Sequence, residues 1–161
     1  MKQLWAPWRS EYISSARDED CVFCCAPSKG AEEGLVLFNG SVSLVMLNKY
    51  PYSNGHMLLS PVRHVAKIED LTPEESIDLF RLLRHSTVVL KRAYNPEGFN
   101  IGMNLGTAAG AGIADHLHMH IVPRWNGDTN FMPLFSETKV VSEHLTATLE
   151  KLRPGFEMLE G

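Results

Sequence analysis

The sequence of 161 residues lacks any apolar run long enough to span a bilayer, and it lacks an excess of positive charge. Its formal net charge of −4 argues against non-specific binding to nucleic acid or to a membrane surface, which requires a basic patch. The N-terminal residues contain no apolar stretch typical of a secretory signal, so we expect a cytoplasmic protein. Repeats and low-complexity segments are also absent, and an apolar fraction of 44% suits one globular domain.

Cysteine is scarce, with three thiols clustered at Cys21, Cys24 and Cys25. An odd, clustered set does not form a disulfide framework and indicates either a metal site or reduced thiols. Cys21 and Cys24 form a Cys-x₂-Cys pair, which supplies half of a tetrahedral zinc site. His64 and His116 are the candidates for the other two ligands, and a Cys₂His₂ set suits structural zinc. The alternative is a pair of unmetallated thiols.

Three histidines, His116, His118 and His120, alternate with large apolar residues. In a strand, successive side chains point to opposite faces, so the three imidazoles should line one face and the apolar residues the other. Pro123 is expected to end this strand, because proline cannot donate to the ladder. Each imidazole needs partners for two ring nitrogens, so a row of three indicates function rather than packing. The row could bind a metal, or a central histidine could act as a nucleophile.

Periodicity elsewhere predicts an α+β fold, an antiparallel five-stranded sheet with one long helix and a C-terminal helix. Residues 35–47 favour a β-hairpin with a type I′ turn at Asn39 and Gly40. Further strands are predicted at 56–61 and 99–105, before the strand that carries the histidines.

The long helix is predicted to start with Thr72 as its N-cap and Pro73 at the first helical position, and to end near Tyr94. Glu75 is predicted to complete a capping box with Thr72. Its predicted apolar face consists of residues at three-and-four spacing: Ile77, Leu79, Phe80, Leu82, Leu83, Val89 and Leu90.

One domain over 1–161 is predicted, with an N-terminal arm at 1–33, a core at 34–124 and a C-terminal extension at 125–161. The arm carries Trp5 and Trp8 and is interpreted as packing on the body of the domain; a dimer contact or a lid is the alternative. The extension is predicted to hold the second helix, over 140–152, with an apolar stripe: Val141, Leu145, Leu149 and Leu152.

The run from His116 to Val122 resembles the signature of the histidine triad (HIT) family, His-φ-His-φ-His-φ-φ with φ apolar, at every position. The resemblance extends over roughly 35–124, and segments 48–56 and 98–107 are most similar to the bacterial branch that includes diadenosine tetraphosphate phosphorylases. It implies an enzyme, a nucleotidyl hydrolase or transferase for dinucleoside polyphosphates or other nucleoside phosphates. A diadenosine tetraphosphate phosphorylase or hydrolase is implied first, as a homodimer or a dimer of dimers.

The resemblance also implies roles for individual residues. His118 would be the nucleophile that forms a nucleotidyl-histidine intermediate. His120 would stabilise charge on the phosphate or protonate the leaving group. His56 would support the triad from the neighbouring strand, and His116 is the remaining member of the predicted catalytic residues. The family's zinc site corresponds to Cys21, Cys24, His64 and His116.

Nucleotide contacts are implied for a further set of residues: Asn48, Asn104, Gly106, Thr107, Gly110, Gly112 and Trp125. The glycines suit phosphate binding because they let backbone N–H groups approach oxygen atoms closely. Arg124 could meet a distal phosphate or lie at the surface. The chain departs from the common pattern at 111–115, where many relatives carry Gly-Gln-Ser or Gly-Gln-Thr, so leaving-group activation must differ.

Other functions remain open on the sequence alone. One is a nucleotide-binding module without catalysis, and another is a nucleoside phosphoramidase. A third is a catalytic metalloenzyme with zinc on all three triad histidines. The acceptor of the nucleotide is also open, and could be water, inorganic phosphate or another acceptor such as a sugar phosphate.

Overall fold

A computed structural model describes residues 21–128 and 142–159. The predicted arm residues Trp5 and Trp8, and Val141 of the predicted C-terminal stripe, lie outside these residues. Among the helices of the described residues, none combines the length and the apolar character needed to cross a membrane.

The strands of the described residues are β1 (Val36–Asn39), β2 (Ser43–Leu47), β3 (Met57–Pro61), β4 (Gly98–Met103) and β5 (Met119–Arg124). The α-helices in the same part of the chain are α1 (Val22–Cys25), α2 (Pro73–Tyr94) and α3 (Leu145–Leu152). The strands form one five-stranded antiparallel sheet, as predicted, in the order β1-β2-β3-β5-β4.

The β1–β2 hairpin forms, but its predicted type I′ turn is wrong. Neither Asn39 nor Gly40 has a positive φ, which both central residues of that turn require. Asn39 pairs with Leu44, and the N–H of Gly40 donates to the carbonyl of Ser43 at 3.0 Å. The connection therefore contains the three residues 40–42, and the Asn-Gly pair does not occupy its centre.

The capping box of α2 is confirmed. The N–H of Glu75 donates to Thr72 Oγ1 at 3.1 Å, and the N–H of Thr72 donates to Glu75 Oε2 at 2.8 Å. The helix ends at Tyr94, as predicted, and Asn95 follows it in the left-handed conformation with φ of 47°.

The predicted apolar face of α2 is wrong at two residues, since Ile77 is 71% exposed and Phe80 is 66% exposed. At 3.6 residues per turn, both point away from the buried side of the helix, which follows Leu79, Leu82 and Leu90. The sequence carries more apolar residues on α2 than the sheet covers, so spacing alone could not separate the two sides.

Two apolar clusters cover the two faces of the sheet. α2, α3 and the following turn bury one face, where Leu82, Leu149 and Phe156 pack on strand residues such as Ile121. On the opposite face, Phe23 of α1 packs in a smaller cluster with Ala26, Val36, Leu44, Met46 and Leu58. The N-terminal segment from Cys21 onwards is thus fastened to the face of the sheet that α2 leaves uncovered.

Three boundaries in the C-terminal part of the chain differ from prediction. β5 begins at Met119, so His116 and His118 precede the strand and His120 is the triad histidine that lies on it. β5 continues through Pro123 to Arg124, so Pro123 does not end it. The ladder to β3 stops at Ile121, so Pro123 pairs only with β4, where it faces Phe99. α3 begins at Leu145 rather than at residue 140, because His144 is an extended N-cap residue.

Candidate active site and metal centre

The three triad histidines face away from α2, although His116 and His118 lie just before β5 rather than on it. His120 pairs directly with Leu58 of the smaller cluster, whereas Met119 and Ile121 lie in the large cluster beneath α2. His116 and His118 are 1% and 7% exposed, and the rings of His118 and His120 are 5.0 Å apart in an edge-to-face arrangement. The site therefore lies on the sheet face that also carries α1.

A hydrogen-bond relay fixes the proton positions on His56 and His120 in their neutral forms. The backbone N–H of Tyr52 donates to His56 Nδ1 at 3.1 Å, so the proton of His56 lies on Nε2. His56 Nε2 lies 3.0 Å from His120 Nδ1 and donates to it. His120 consequently carries its proton on Nε2, which makes that nitrogen a hydrogen-bond donor.

His118 has the opposite tautomer. Its Nδ1 lies 2.9 Å from the carbonyl oxygen of His116, and a carbonyl only accepts, so Nδ1 carries the proton. Nε2 is then left with a lone pair. Burial lowers the pKa of His118 below its usual value, although the bond to the carbonyl opposes this effect. The ring is therefore neutral near pH 7, in the protonation state of a nucleophile.

A second constellation brings together the four predicted metal ligands, Cys21, Cys24, His64 and His116, whose donor atoms all lie within 4.8 Å of one another. The Sγ atoms of Cys21 and Cys24 lie 3.2 Å and 3.6 Å from His116 Nδ1, and Cys24 Sγ lies 3.3 Å from His64 Nδ1. In a tetrahedral zinc site, bonds of about 2.3 Å to sulfur and about 2.1 Å to nitrogen separate such atoms by about 3.6 Å. The donor set and its dimensions fit zinc.

His116 is oriented for this cluster by its other ring nitrogen. Its Nε2 donates to the carbonyl of Pro61 at 2.9 Å, so Nδ1 carries the lone pair that a metal requires. Burial lowers the pKa of His116, which keeps the ring neutral. Desolvation, and then the neighbouring Cys21, raise the pKa of the Cys24 thiol to about 11, so metal binding must displace its proton.

The ring nitrogens do not support a metal on all three triad histidines. His116 faces the two cysteines, His118 donates to a carbonyl, and His120 accepts from His56. Within residues 21–128 and 142–159, the Cys₂His₂ set is the group with metal-site geometry.

The predicted nucleotide-binding residues lie around this face to differing degrees. Asn104 follows β4, and its side chain donates to the carbonyl of Gly110, which ties the strand to the glycine loop. Gly106 and Gly110 have φ of 79° and 85°, conformations that favour glycine. Thr107 begins a short turn of 3₁₀ helix between them, and Gly112 lies exposed in the same loop.

The side chain of Asn48 is directed into its own loop, where Oδ1 accepts from the N–H of Tyr50 at 2.9 Å and Nδ2 lies 3.4 Å from His56 Nδ1. Trp125 follows the far end of β5, about 16 Å along the chain from His120 at the rise of a strand. The structure therefore places Asn48 beside the relay and Trp125 away from it.

Arg124 is engaged by neighbours. Its Nε and Nη2 donate to the carboxylate of Asp128 at 2.6 Å and 2.7 Å, and its Nη1 donates to Asn100 Oδ1 at 2.7 Å. This guanidinium holds the turn after β5, a role that favours the surface interpretation over contact with a distal phosphate.

Two residues that contact the histidines of the site, Phe23 and Tyr52, were not identified from the sequence. The ring of Phe23 contacts the rings of His116 and His118, with centroids 5.1 Å and 4.9 Å apart. Tyr52 supplies the N–H that begins the relay, and its ring lies 4.8 Å from that of His56. The position of Phe23 between two candidate metal ligands was a usable signal, whereas nothing in the sequence marks the backbone of Tyr52.

Comparisons with known proteins agree with this geometry. Residues 29–127 match the HIT domain family. The chain is 40% identical over 157 residues to the AP-4-A phosphorylase of Mycobacterium tuberculosis, which covers 92% of this chain and 80% of that protein. A histidine triad nucleotide-binding protein of Sulfolobus tokodaii superposes with a TM-score of 0.69 at 26% identity, covering 85% of this chain and 92% of that one. A zinc-bound histidine triad protein of Mycobacterium smegmatis shares the fold, with a TM-score of 0.66, 23% identity and coverage of 84% and 92%.

Proposed function

This chain belongs to the HIT domain family, and we propose that it transfers a nucleotidyl group from a dinucleoside polyphosphate through a covalent intermediate on His118. The observation that carries the proposal is the pair of opposite tautomers. His118 presents a lone pair on Nε2, and the neighbouring His120 presents a proton on its own Nε2. A nucleophile and a proton donor on adjacent rings are the two groups that a phosphoryl displacement needs.

In the first step, the lone pair of His118 Nε2 forms a bond to the phosphorus atom of a nucleoside monophosphate unit. The bond from that phosphorus to the bridging oxygen breaks, and the remaining polyphosphate leaves with the electron pair. His120 Nε2 donates a hydrogen bond to the phosphate oxygens as charge develops or gives its proton to the leaving oxygen. The His118 ring becomes cationic, and the carbonyl of His116 stabilises it by accepting from Nδ1–H.

In the second step, an oxygen of the acceptor attacks the same phosphorus atom and the nitrogen–phosphorus bond breaks, which returns the electron pair to His118. Inorganic phosphate as acceptor gives a nucleoside diphosphate, and water gives a nucleoside monophosphate. We propose phosphorolysis of diadenosine tetraphosphate first, supported by the 40% identity to a protein named AP-4-A phosphorylase. Hydrolysis of the same substrate is the second candidate.

We further propose that zinc occupies the Cys₂His₂ cluster as a structural ion. Cys21, Cys24, His64 and His116 would fill all four positions of a tetrahedron and leave none for substrate. Bound there, zinc would supply a cross-link between the segment at α1 and the segment that carries His116 just before β5, without taking part in the displacement. The homodimer, the cytoplasmic location and the single domain over 1–161 stay predictions, as do the nucleotide contacts of Asn48, Asn104, the 106–112 loop and Trp125.

The test of the chemistry uses His118→Ala in the full chain, with His144→Gln, an exposed histidine at the start of α3, as the matched control. Radiolabelled diadenosine tetraphosphate is mixed with each protein and quenched in base during turnover, because a phosphoramidate survives base. The wild type and the control should retain label on the chain, whereas His118→Ala should bind the nucleotide without acquiring label or turning over.

Products from the wild type, with and without inorganic phosphate, identify the acceptor. ADP plus ATP formed only with phosphate supports phosphorolysis, and AMP plus ATP supports hydrolysis. Nucleotide binding by the wild type without label or products would refute catalysis in favour of a binding module. Faster cleavage of adenosine phosphoramidate than of the tetraphosphate would favour the phosphoramidase function.

A further inference from the structure

Phe23 is placed where the metal cluster and the nucleophile meet. It lies between Cys21 and Cys24 in the sequence, and it is 2% exposed. Its ring centroid lies 5.1 Å from that of His116, a metal-cluster residue, and 4.9 Å from that of His118. Both distances fall in the range of direct aromatic contact. A single side chain therefore contacts one ring of each constellation.

The segment that carries Phe23 cannot hold this position by itself. α1 contains four residues, and one turn of helix is unstable in isolation because nucleation is unfavourable. It is fastened to the sheet by the burial of Phe23 and Ala26 and by the approach of Cys21 and Cys24 to His116. The position of the Phe23 ring is therefore set both by its own burial and by how the two cysteines meet His116.

We propose that Phe23 is a positioning residue for His118, and that it makes the orientation of the His118 ring depend on closure of the Cys21, Cys24, His64 and His116 cluster around a metal. This inference rests on the proposed function for the role of His118 as nucleophile. In this scheme Phe23 acts through the His118 ring and is neither a reacting group nor a metal ligand.

The physical reason is the number of constraints on the His118 ring. Its hydrogen bond from Nδ1 to the His116 carbonyl fixes one atom, but rotation about the side-chain bonds remains unless the faces of the ring are packed. Phe23 at an interplanar angle of 32° and His120 at 63° supply that packing. In-line attack requires the Nε2 lone pair to be aimed at phosphorus, and small misplacements of a reacting group are costly.

The experiment compares Phe23→Leu with Val36→Ala. Val36 belongs to the same buried cluster, but it lies on β1, which two strands separate from β5. Phe23→Met is carried in parallel, so that a folding failure of one variant does not end the test. Each protein is loaded with one equivalent of zinc, and metal content, thermal unfolding, KM and the single-turnover rate of adduct formation are measured.

Long-range ¹H–¹⁵N spectra of the imidazoles at pH 8 supply the readout that is independent of activity. In the zinc-loaded wild type and in Val36→Ala, His118 should show one tautomer, protonated at Nδ1. In Phe23→Leu or Phe23→Met, we expect mixed or exchange-broadened His118 signals, adduct formation slower by about tenfold or more and KM within about twofold of the wild type. The wild type stripped of metal with a chelator should show the same loss of a single His118 signal.

A Phe23 variant that keeps the single His118 tautomer and the wild-type adduct rate would overturn the proposal. An unchanged His118 signal in the metal-free wild type would overturn its coupling to the metal. A variant that folds but no longer retains zinc would support that coupling, because coupling between two sites is reciprocal. Absence of any adduct in the wild type would refute the proposed function alone, since the spectra still report on Phe23.

Discussion

Glu75→Gln tests how the long helix is fastened to the segment that carries His64. Glu75 is 6% exposed, and Arg63 donates to its two oxygens from Nε and Nη2 at 2.8 Å each. The N–H of Thr72 donates to the same carboxylate at 2.8 Å. Because Arg63 directly precedes His64, this ion pair ties the first turn of α2 to the chain beside a metal-cluster residue.

The magnitude follows from the charge state of Glu75. The bond from Arg63, against the opposing effect of burial, lowers the pKa of Glu75 from 4.5 to about 2. That difference corresponds to about 3 kcal/mol of stability at neutral pH as an upper bound. Since 49% of the Arg63 side chain is exposed to solvent, screening reduces the effect, and we expect Glu75→Gln to lose about 1–2 kcal/mol. Glutamine still accepts in a capping box, so the loss reports the ion pair.

The assay is urea unfolding of the zinc-loaded wild type, Glu75→Gln and the control Glu74→Gln from pH 7 to pH 3. Glu74 is an exposed carboxylate in the same turn, so its replacement should cost less than about 0.5 kcal/mol. The pKa of Glu75 is lower in the folded state than in the unfolded state, so its stabilisation is complete at neutral pH. It is lost as the pH falls from 4.5 towards 2, and the wild-type and Glu75→Gln curves should converge there. A Glu75→Gln variant as stable as Glu74→Gln at pH 7, or a difference that stays constant to pH 3, would refute the reasoning.

Two other predictions concern the loop before His56 and the metal cluster. Gly55→Ala should destabilise the protein by about 1–3 kcal/mol in urea unfolding, because φ is 74° and the new Cβ would lie 2.8 Å from Leu90 Cδ2. The control is Gly98→Ala, whose new Cβ would have nothing within 4 Å, and equal losses of stability in the two variants would contradict the steric argument. The Cys21→Ser, Cys24→Ser double variant should fall from about one zinc per chain to none by elemental analysis and should unfold at a lower temperature; full zinc retention would place the metal elsewhere.

Local patterns predicted most of the elements that build the site. The common facing of the triad histidines, the capping box at Thr72 and Glu75, and the Cys-x₂-Cys pair each depend on a few neighbouring residues. The strand predicted to carry the whole triad starts only at Met119. The assignment of His64 to the metal cluster required only its place after β3. These interactions are local or follow from strand pairing, so sequence spacing describes them well.

The features that sequence did not predict arise from contacts between distant parts of the chain. The exposure of Ile77 and Phe80 depends on which side of α2 the sheet covers, and their spacing is as regular as that of the buried residues. The engagement of Arg124 by Asn100 depends on the pairing of β4 with β5. The contact of Phe23 with His118 joins residues 95 positions apart in the chain, and no local periodicity records such a pairing.

The group that fixes the tautomers of His56 and His120 determines which substitutions at position 52 leave those tautomers unchanged. The donor is the main-chain amide of Tyr52, which every residue type except proline possesses. Replacing the tyrosine therefore changes what covers the rings while the amide still directs the two imidazoles. Substitutions at position 52 can therefore change the surface presented to a substrate while the tautomers of His56 and His120 stay the same.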